Sequence, residues 1–311
     1  MRSSRRTWPL FIGLAIAWGA SYLFIRVAIT HGLQPLPLVA MRLVIGAAVV
    51  WTVTLARRER LRTSRRQAIL LPLVATVNIA LPFFLVAWGE RTVSSGLASV
   101  LNSTIPIFSV ILAGVLLRDE PVTLRRSVGV AAGFSGVLVL FSGDLSGGHA
   151  SHLVGQASIV TASLCYAVGA VLTRRLFRDL PALTIAAFSV TTAAVETVIL
   201  SAIFQAPNFA SIDFQGWISV LWLGVMGVGL AYLMAFSILA AWGAARYTLI
   251  GYALPVVGLT LGAIFLHEKL DLRIAVGSAL VLTGIVLASF VRPQASRDSA
   301  IGSRSPARAA D

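Results

Sequence analysis

The sequence predicts an all-α membrane protein: ten transmembrane helices, arranged as two inverted five-helix repeats around a central cavity. Three observations carry this. The chain is 57% hydrophobic and 12% charged, about half of the roughly 25% charge with which a soluble domain covers its surface. Ten apolar runs are each long enough to cross about 30 Å of hydrocarbon. One design, an apolar stretch with an interior proline and a closing glutamate, occurs twice, from Leu97 through Pro106 to Glu120 and from Gly251 through Pro255 to Glu268.

The first span, 8–29, follows Arg2, Arg5 and Arg6. Its length exceeds that of a signal-peptide core and no small-residue cleavage site closes it, so a retained helix is expected. The next four spans are 35–55, 68–88, 94–117 and 124–142. The second five are 153–174, 181–204, 215–237, 244–266 and 272–291. Two five-span repeats, 1–142 and 153–291, are thus expected on either side of a periplasmic linker at 143–152. Residues 292–311, rich in Pro, Ser, Ala and Arg, are expected to form a disordered cytoplasmic tail.

The basic residues set the orientation. With the N-terminus in the cytoplasm, 20 of the 25 Lys and Arg fall in inside segments. Only Arg91, Lys269 and Arg273 fall outside, while Arg26 and Arg42 lie within spans. This bias predicts that both termini are cytoplasmic. The net charge of +13 therefore marks topology, which leaves no case for nucleic-acid binding. A single cysteine, Cys165, lies inside an apolar run and excludes an intrachain disulfide.

An offset of 148 aligns Glu120, Leu124, Arg125, Val128, Gly129, Ala131 and Gly136 with Glu268, Leu272, Arg273, Val276, Gly277, Ala279 and Gly284. A five-span half is odd, so its copy enters the membrane from the opposite side. Inverted repeats of this kind place a binding site near the midplane and support alternating access.

Several side chains are candidates for chemistry. Pro106 and Pro255 each remove a backbone hydrogen bond, giving either a hinge with an opened carbonyl or a static kink. Glu120 and Glu268 read first as caps of the helices that follow them, and second as gate contacts. Arg42 and Glu196 are ionisable groups inside spans; they suit an ion pair, a proton-linked site or a site for a substrate carboxylate. Arg26 is placed to snorkel to the outer interface. Trp18, Tyr22, Asn78, Asn102, Tyr166 and Tyr252 are the polar and aromatic residues expected to line the cavity, against an alternative of interhelical hydrogen bonding. Gly129, Gly133, Gly136, Gly277 and Gly284 predict close helix packing, within the chain or at a dimer face.

Absences narrow the function. There is no P-loop, no Gly-x-Ser-x-Gly elbow and no His-Glu-x-x-His, so no enzyme, cofactor or metal is expected.

Trp18-Gly19-Ala20-Ser21-Tyr22, Arg42, Ser95 to Ser99 through Pro106 to Asp119-Glu120, and Gly129 to Gly136 resemble the EamA family of the drug/metabolite transporter superfamily. Ala244 to Pro255, Glu268, Gly277 and Gly284 extend the resemblance to the second half. It departs from the family pattern at Cys165-Tyr166-Ala167-Val168. The resemblance implies a secondary transporter of small organic metabolites, often an exporter of amino acids. The expected protein is thus a multi-pass exporter of the bacterial inner membrane, with a small-molecule substrate, the bilayer as surroundings, and a monomeric or homodimeric state left open. A multidrug or other metabolite permease is the alternative, and a channel or lipid-handling protein a more distant one.

Overall fold

A computed structural model describes residues 2–58, 61, 63–116, 123–147, 150–247 and 249–289. The expected tail and Glu120 lie outside these residues. Among them the fold is all helical. The helices are α1 (Arg2–Thr30), α2 (Pro35–Ala56), α3 (Arg65–Gly89), α4 (Ser95–Asn102), α5 (Ile105–Leu116), α6 (Leu124–Gly147), α7 (Ala150–Leu176), α8 (Ala182–Phe204), α9 (Phe214–Gly243), α10 (Ile250–Phe265) and α11 (Leu272–Ser289). Eight described segments are long and apolar enough to cross a membrane, with α4 and α5 counted as one; α10 and α11 are shorter apolar helices.

Local chemistry explains the helix ends. Ser64 accepts from the Gln67 amide while the Gln67 side chain accepts from the Ser64 amide, a capping box that starts α3. Asp213 accepts from the Gly216 amide at 2.9 Å to start α9, and Asp271 from the Ile274 amide at 2.7 Å to start α11. Many large apolar side chains are exposed, among them Ile69, Leu138, Ile203 and Ile264. A surface of that composition matches lipid rather than water.

The stretch expected as one bent span, 94–117, is two helices. It breaks at Ser103 and Thr104, so Pro106 lies in the first turn of α5 rather than in a helix interior. The hydroxyls of Ser103 and Thr104 turn back onto the carbonyls of Val100 and Leu101, at 2.6 and 2.7 Å. Pro106 has no amide for the Asn102 carbonyl. Pro255 remains inside α10. Two wider turns of π-helix interrupt the spans, Thr76–Ala80 within α3 and Leu223–Leu230 within α9.

Small residues set the tightest packing. A methyl on Gly129 would lie 2.8 Å from the Gly284 carbonyl, and one on Gly136 would lie 2.7 Å from the Gly277 carbonyl. The α6–α11 contact is the most extensive in the fold, so these glycines serve packing within the chain. The helices that carry Pro106 and Pro255 meet: a methyl on Gly251 of α10 would sit 3.5 Å from Pro106 Cγ. At the other end of the same seam Gly258 abuts Ser99 of α4.

Candidate functional site

Tyr22 and Asn102 form the centre. Both are buried, and Asn102 Nδ2 donates to the Tyr22 hydroxyl at 2.7 Å. Asn102 is the last residue of α4, where the break leaves its backbone carbonyl without a helical partner. Ser163 Oγ on α7 lies 3.3 Å from that carbonyl and 3.2 Å from Asn102 Oδ1. The same hydroxyl, from the second half, also has the Leu101 and Ile159 carbonyls at 3.3 and 3.2 Å, so its single proton is shared among four acceptors at the break. An unsatisfied carbonyl at this depth would cost about 1–3 kcal/mol.

Beside this pair lies Arg42, roughly 10 Å along α2 from its first residue and only 4% exposed. Its guanidinium carbon sits 4.2 Å from the centroid of the Phe83 ring, and Phe83 meets Tyr166 edge-on at 6.3 Å. Tyr22, Tyr166, Tyr232 and the buried Glu90 all lie within electrostatic reach of the charge. Arg42 Nε has no hydrogen-bond partner, and no carboxylate reaches ion-pair distance of it among the described residues. Because arginine stays protonated, this is a permanent buried cation held by aromatic faces. Glu196 lies elsewhere; the Thr76 hydroxyl donates to its carboxylate, 2.9 Å from each oxygen.

The remaining expected cavity residues divide between the centre and other contacts. Trp18 is one turn from Tyr22 on α1, and its indole nitrogen donates to the Gly227 carbonyl at 3.2 Å. Gly227 belongs to the π-turn of α9 and faces Ser21 and an Arg42 nitrogen. Asn78, in the π-turn of α3, packs on Gly169 of α7. Tyr252 donates from its hydroxyl to the Ile285 carbonyl at 3.2 Å, which directs it toward α11. Tyr22, Asn102, Tyr166 and Arg42 thus form one cluster, with Trp18 joined to it through Gly227, while Tyr252 is tied to α11 and Glu196 stands apart.

At one end of the bundle a cleft of about 460 Å³ is lined by Arg26, Leu97, Asp144, His152, Glu268 and Arg273, among others. Glu268 does not cap its own following helix, a task taken by Asp271. Its Oε1 accepts from the Ser95 amide at 2.7 Å and its Oε2 from the Gly96 amide at 2.9 Å, closing the N-terminus of α4. The Arg26 guanidinium donates to the backbone carbonyls of Glu90 and Arg91. The Glu90 side chain behind it is 0% exposed, and neither carboxylate oxygen has a hydrogen-bond partner among the described residues. Glu90 falls in the connection between the expected spans 68–88 and 94–117, and an acid placed directly against an apolar run is the signal the sequence holds for it.

The model of the EamA-like transporter family matches the chain twice, over residues 7–142 and 153–290. The chain belongs to the EamA-like transporter family. This transporter is 25% identical over 280 residues to the uncharacterized transporter YoaV of Bacillus subtilis, covering 90% of this chain and 95% of that one. It is 26% identical over 290 residues to a probable terminal-alkyne amino-acid exporter of Streptantibioticus cattleyicolor, covering 92% and 94%. To a probable amino-acid metabolite efflux pump of Escherichia coli it is 22% identical over 295 residues, covering 92% and 96%. A solved crystal structure shares the fold with a TM-score of 0.66 at 20% identity, covering 91% of the transporter and 97% of that chain. The protein is therefore a multi-pass membrane transporter, and its family works on small molecules.

Proposed function

We propose that this transporter exports amino acids or closely related small carboxylates across the bacterial inner membrane by alternating access, with Arg42 receiving the substrate carboxylate. The observation that carries the reading is the buried guanidinium with no carboxylate at ion-pair distance among the described residues, Glu90 acting on it only from further off. A cation held that deep costs several kcal/mol, and a carboxylate arriving as substrate supplies the missing counter-charge and hydrogen-bond acceptor. The phenol and amide of Tyr22 and Asn102 beside it offer neutral polar contacts, and Phe83 and Tyr166 an apolar wall. Two relatives with amino acids in their names support the substrate class.

The proposed architecture has ten spans in two inverted halves, with both termini cytoplasmic and the Glu268 cleft outside. Helix pairing supports it. Number the spans one to ten, so that α4 and α5 make the fourth and α11 the tenth. Span one packs on eight and nine, as six packs on three and four; two packs on seven and eight, as seven packs on two and three; five packs on ten. Adding five to every number reproduces the same list, as a two-fold relation between halves requires. The π-turns fall in the corresponding third and eighth spans, and the family model matches each half separately.

The test is efflux from proteoliposomes loaded with a panel of labelled amino acids, the matching decarboxylated amines and lipophilic cations. Saturable efflux of amino acids, lost from the amines, is the expected result. Preferential movement of the cations would overturn the reading in favour of a multidrug permease, and unitary conductance would turn it into a channel.

A further inference from the structure

We propose that Glu90 is the proton-binding carboxyl of this transporter, and that withdrawal of Glu268 from the N-terminus of α4 is the step that admits protons to it. The inference rests on the family assignment as a transporter and on the cleft being the outer one, but not on the substrate of Arg42.

Glu90 is 0% exposed, and its two oxygens find no donor among the described residues. An ionised carboxylate needs several hydrogen bonds or a close cation to remain in such a place. The charged and titratable groups facing it are mixed. Arg26 and Tyr22 come from α1, Arg42 from α2 and Glu268 from the α10–α11 connection, with Arg91 adjoining in sequence. Arg26 spends a guanidinium nitrogen on the Glu90 backbone carbonyl rather than on the carboxylate. On α7, Gly155 and Ile159 press on neighbouring Gly89, and neither titrates. Burial acts most strongly against the Glu90 charge and the neighbouring Glu268 carboxylate adds to it; Arg26 and Arg42 act the other way, but neither stands at ion-pair distance of the carboxylate among the described residues. With Glu268 seated on α4, Glu90 holds a proton.

Access supplies the second half. Arg26 lines the cleft and also touches the Glu90 carbonyl, so Glu90 lies one side chain behind the cleft wall. The same wall contains Glu268, whose two bonds to Ser95 and Gly96 keep α4 seated. When those bonds break, water and protons reach Glu90 from the cleft. Closing again carries the proton inward, and arrival of the substrate beside Arg42 accompanies its departure to the other side. The carboxyl takes up and releases one proton with no other bond made or broken.

Two measurements on the full-length transporter test this. Infrared titration of the purified protein at neutral pH reads protonation without any substrate: a protonated-carboxyl band of a non-hydrogen-bonded acid is expected in wild type and absent in Glu90→Gln. Proteoliposomes then read coupling, with the internal pH dye pyranine reporting proton flux and a labelled amino acid reporting efflux. An imposed outward-acid gradient is expected to accelerate wild-type efflux about tenfold, Glu90→Gln to lose that acceleration while retaining substrate exchange, and Glu90→Asp to keep it. A Glu90→Gln protein that lacks no infrared band, or that responds to the gradient like wild type, overturns the proposal. If no panel amino acid moves but the band is lost with Glu90, the substrate reading fails and the proton site stands.

Discussion

Glu268 precedes α11 in sequence, yet its carboxylate belongs spatially to α4, where it bonds the amides of Ser95 and Gly96. Hydrogen bonds to a charged group contribute about 1.5–3 kcal/mol each, and the N-terminal amides of α4 favour a negative charge. Glu268→Gln removes the charge and sets an amide N–H against a backbone N–H. In a Cys165→Ala background, a cysteine at Leu97 in the cleft wall is expected to react with a membrane-impermeant maleimide at least about tenfold faster in Glu268→Gln, since 1.4 kcal/mol is a factor of ten.

Arg42 predicts a different signature. Arg42→Met removes the cation and is expected to raise the KM for a transported amino acid at least about tenfold, the value of a lost charged hydrogen bond. Arg42→Lys is expected to fall between the two, because an ammonium cannot reproduce the guanidinium plane stacked on Phe83. Discrimination between an amino acid and its decarboxylated amine should vanish in Arg42→Met. Counterflow in proteoliposomes measures both.

The α6–α11 seam gives a stability prediction. A methyl on Gly284 would stand 2.4 Å from the Gly133 amide nitrogen and 2.6 Å from the Gly129 carbonyl, both backbone atoms that cannot swing aside. Gly284→Ala is expected to cost about 1–3 kcal/mol through overpacking and to lower the thermal midpoint in detergent. Gly251→Ala, whose methyl meets only Pro106 Cγ at 3.5 Å, is expected to leave it unchanged.

Asp213 supplies a pH prediction away from the centre. The Gly216 amide, and then the His31 imidazole 2.5 Å away, hold its carboxyl below the ordinary carboxylate range. A lowered folded-state value contributes stability above the unfolded value, near 3.9, and loses it as pH falls through the folded one. Asp213→Ala should therefore lower the thermal midpoint at pH 7, and its difference from wild type should shrink below about pH 4. Differential scanning fluorimetry across pH checks it.

The spans were legible because crossing a bilayer demands length and apolarity, and both are written along the chain. Tyr22 and Asn102 stood out for the same reason, as polar groups amid hydrocarbon. What escaped was whatever depends on distant neighbours. Glu268 read as a local cap because sequence offers only local partners, while its true partner lies 173 residues away. Arg42 and Glu196 invited pairing as the ionisable residues inside their spans, but Phe83 took one and Thr76 the other. Glu90 escaped because it follows the span, just past the end of α3 at Gly89, and its burial depends on neighbours distant in sequence. The break before Pro106 arises from Ser103 and Thr104 bonding their own preceding turn, a choice that proline permits and does not dictate. The π-turns shift the helical phase by one residue, which apolar periodicity in a nearly uniform span cannot register.

The discontinuity at Ser103 and Thr104 separates two levers. The segment above it is clasped by Glu268, and the one below faces Gly251 of the helix that carries Pro255. A continuous rod would oblige both ends to swing together, whereas a severed one leaves the clasped half able to move without dragging the other.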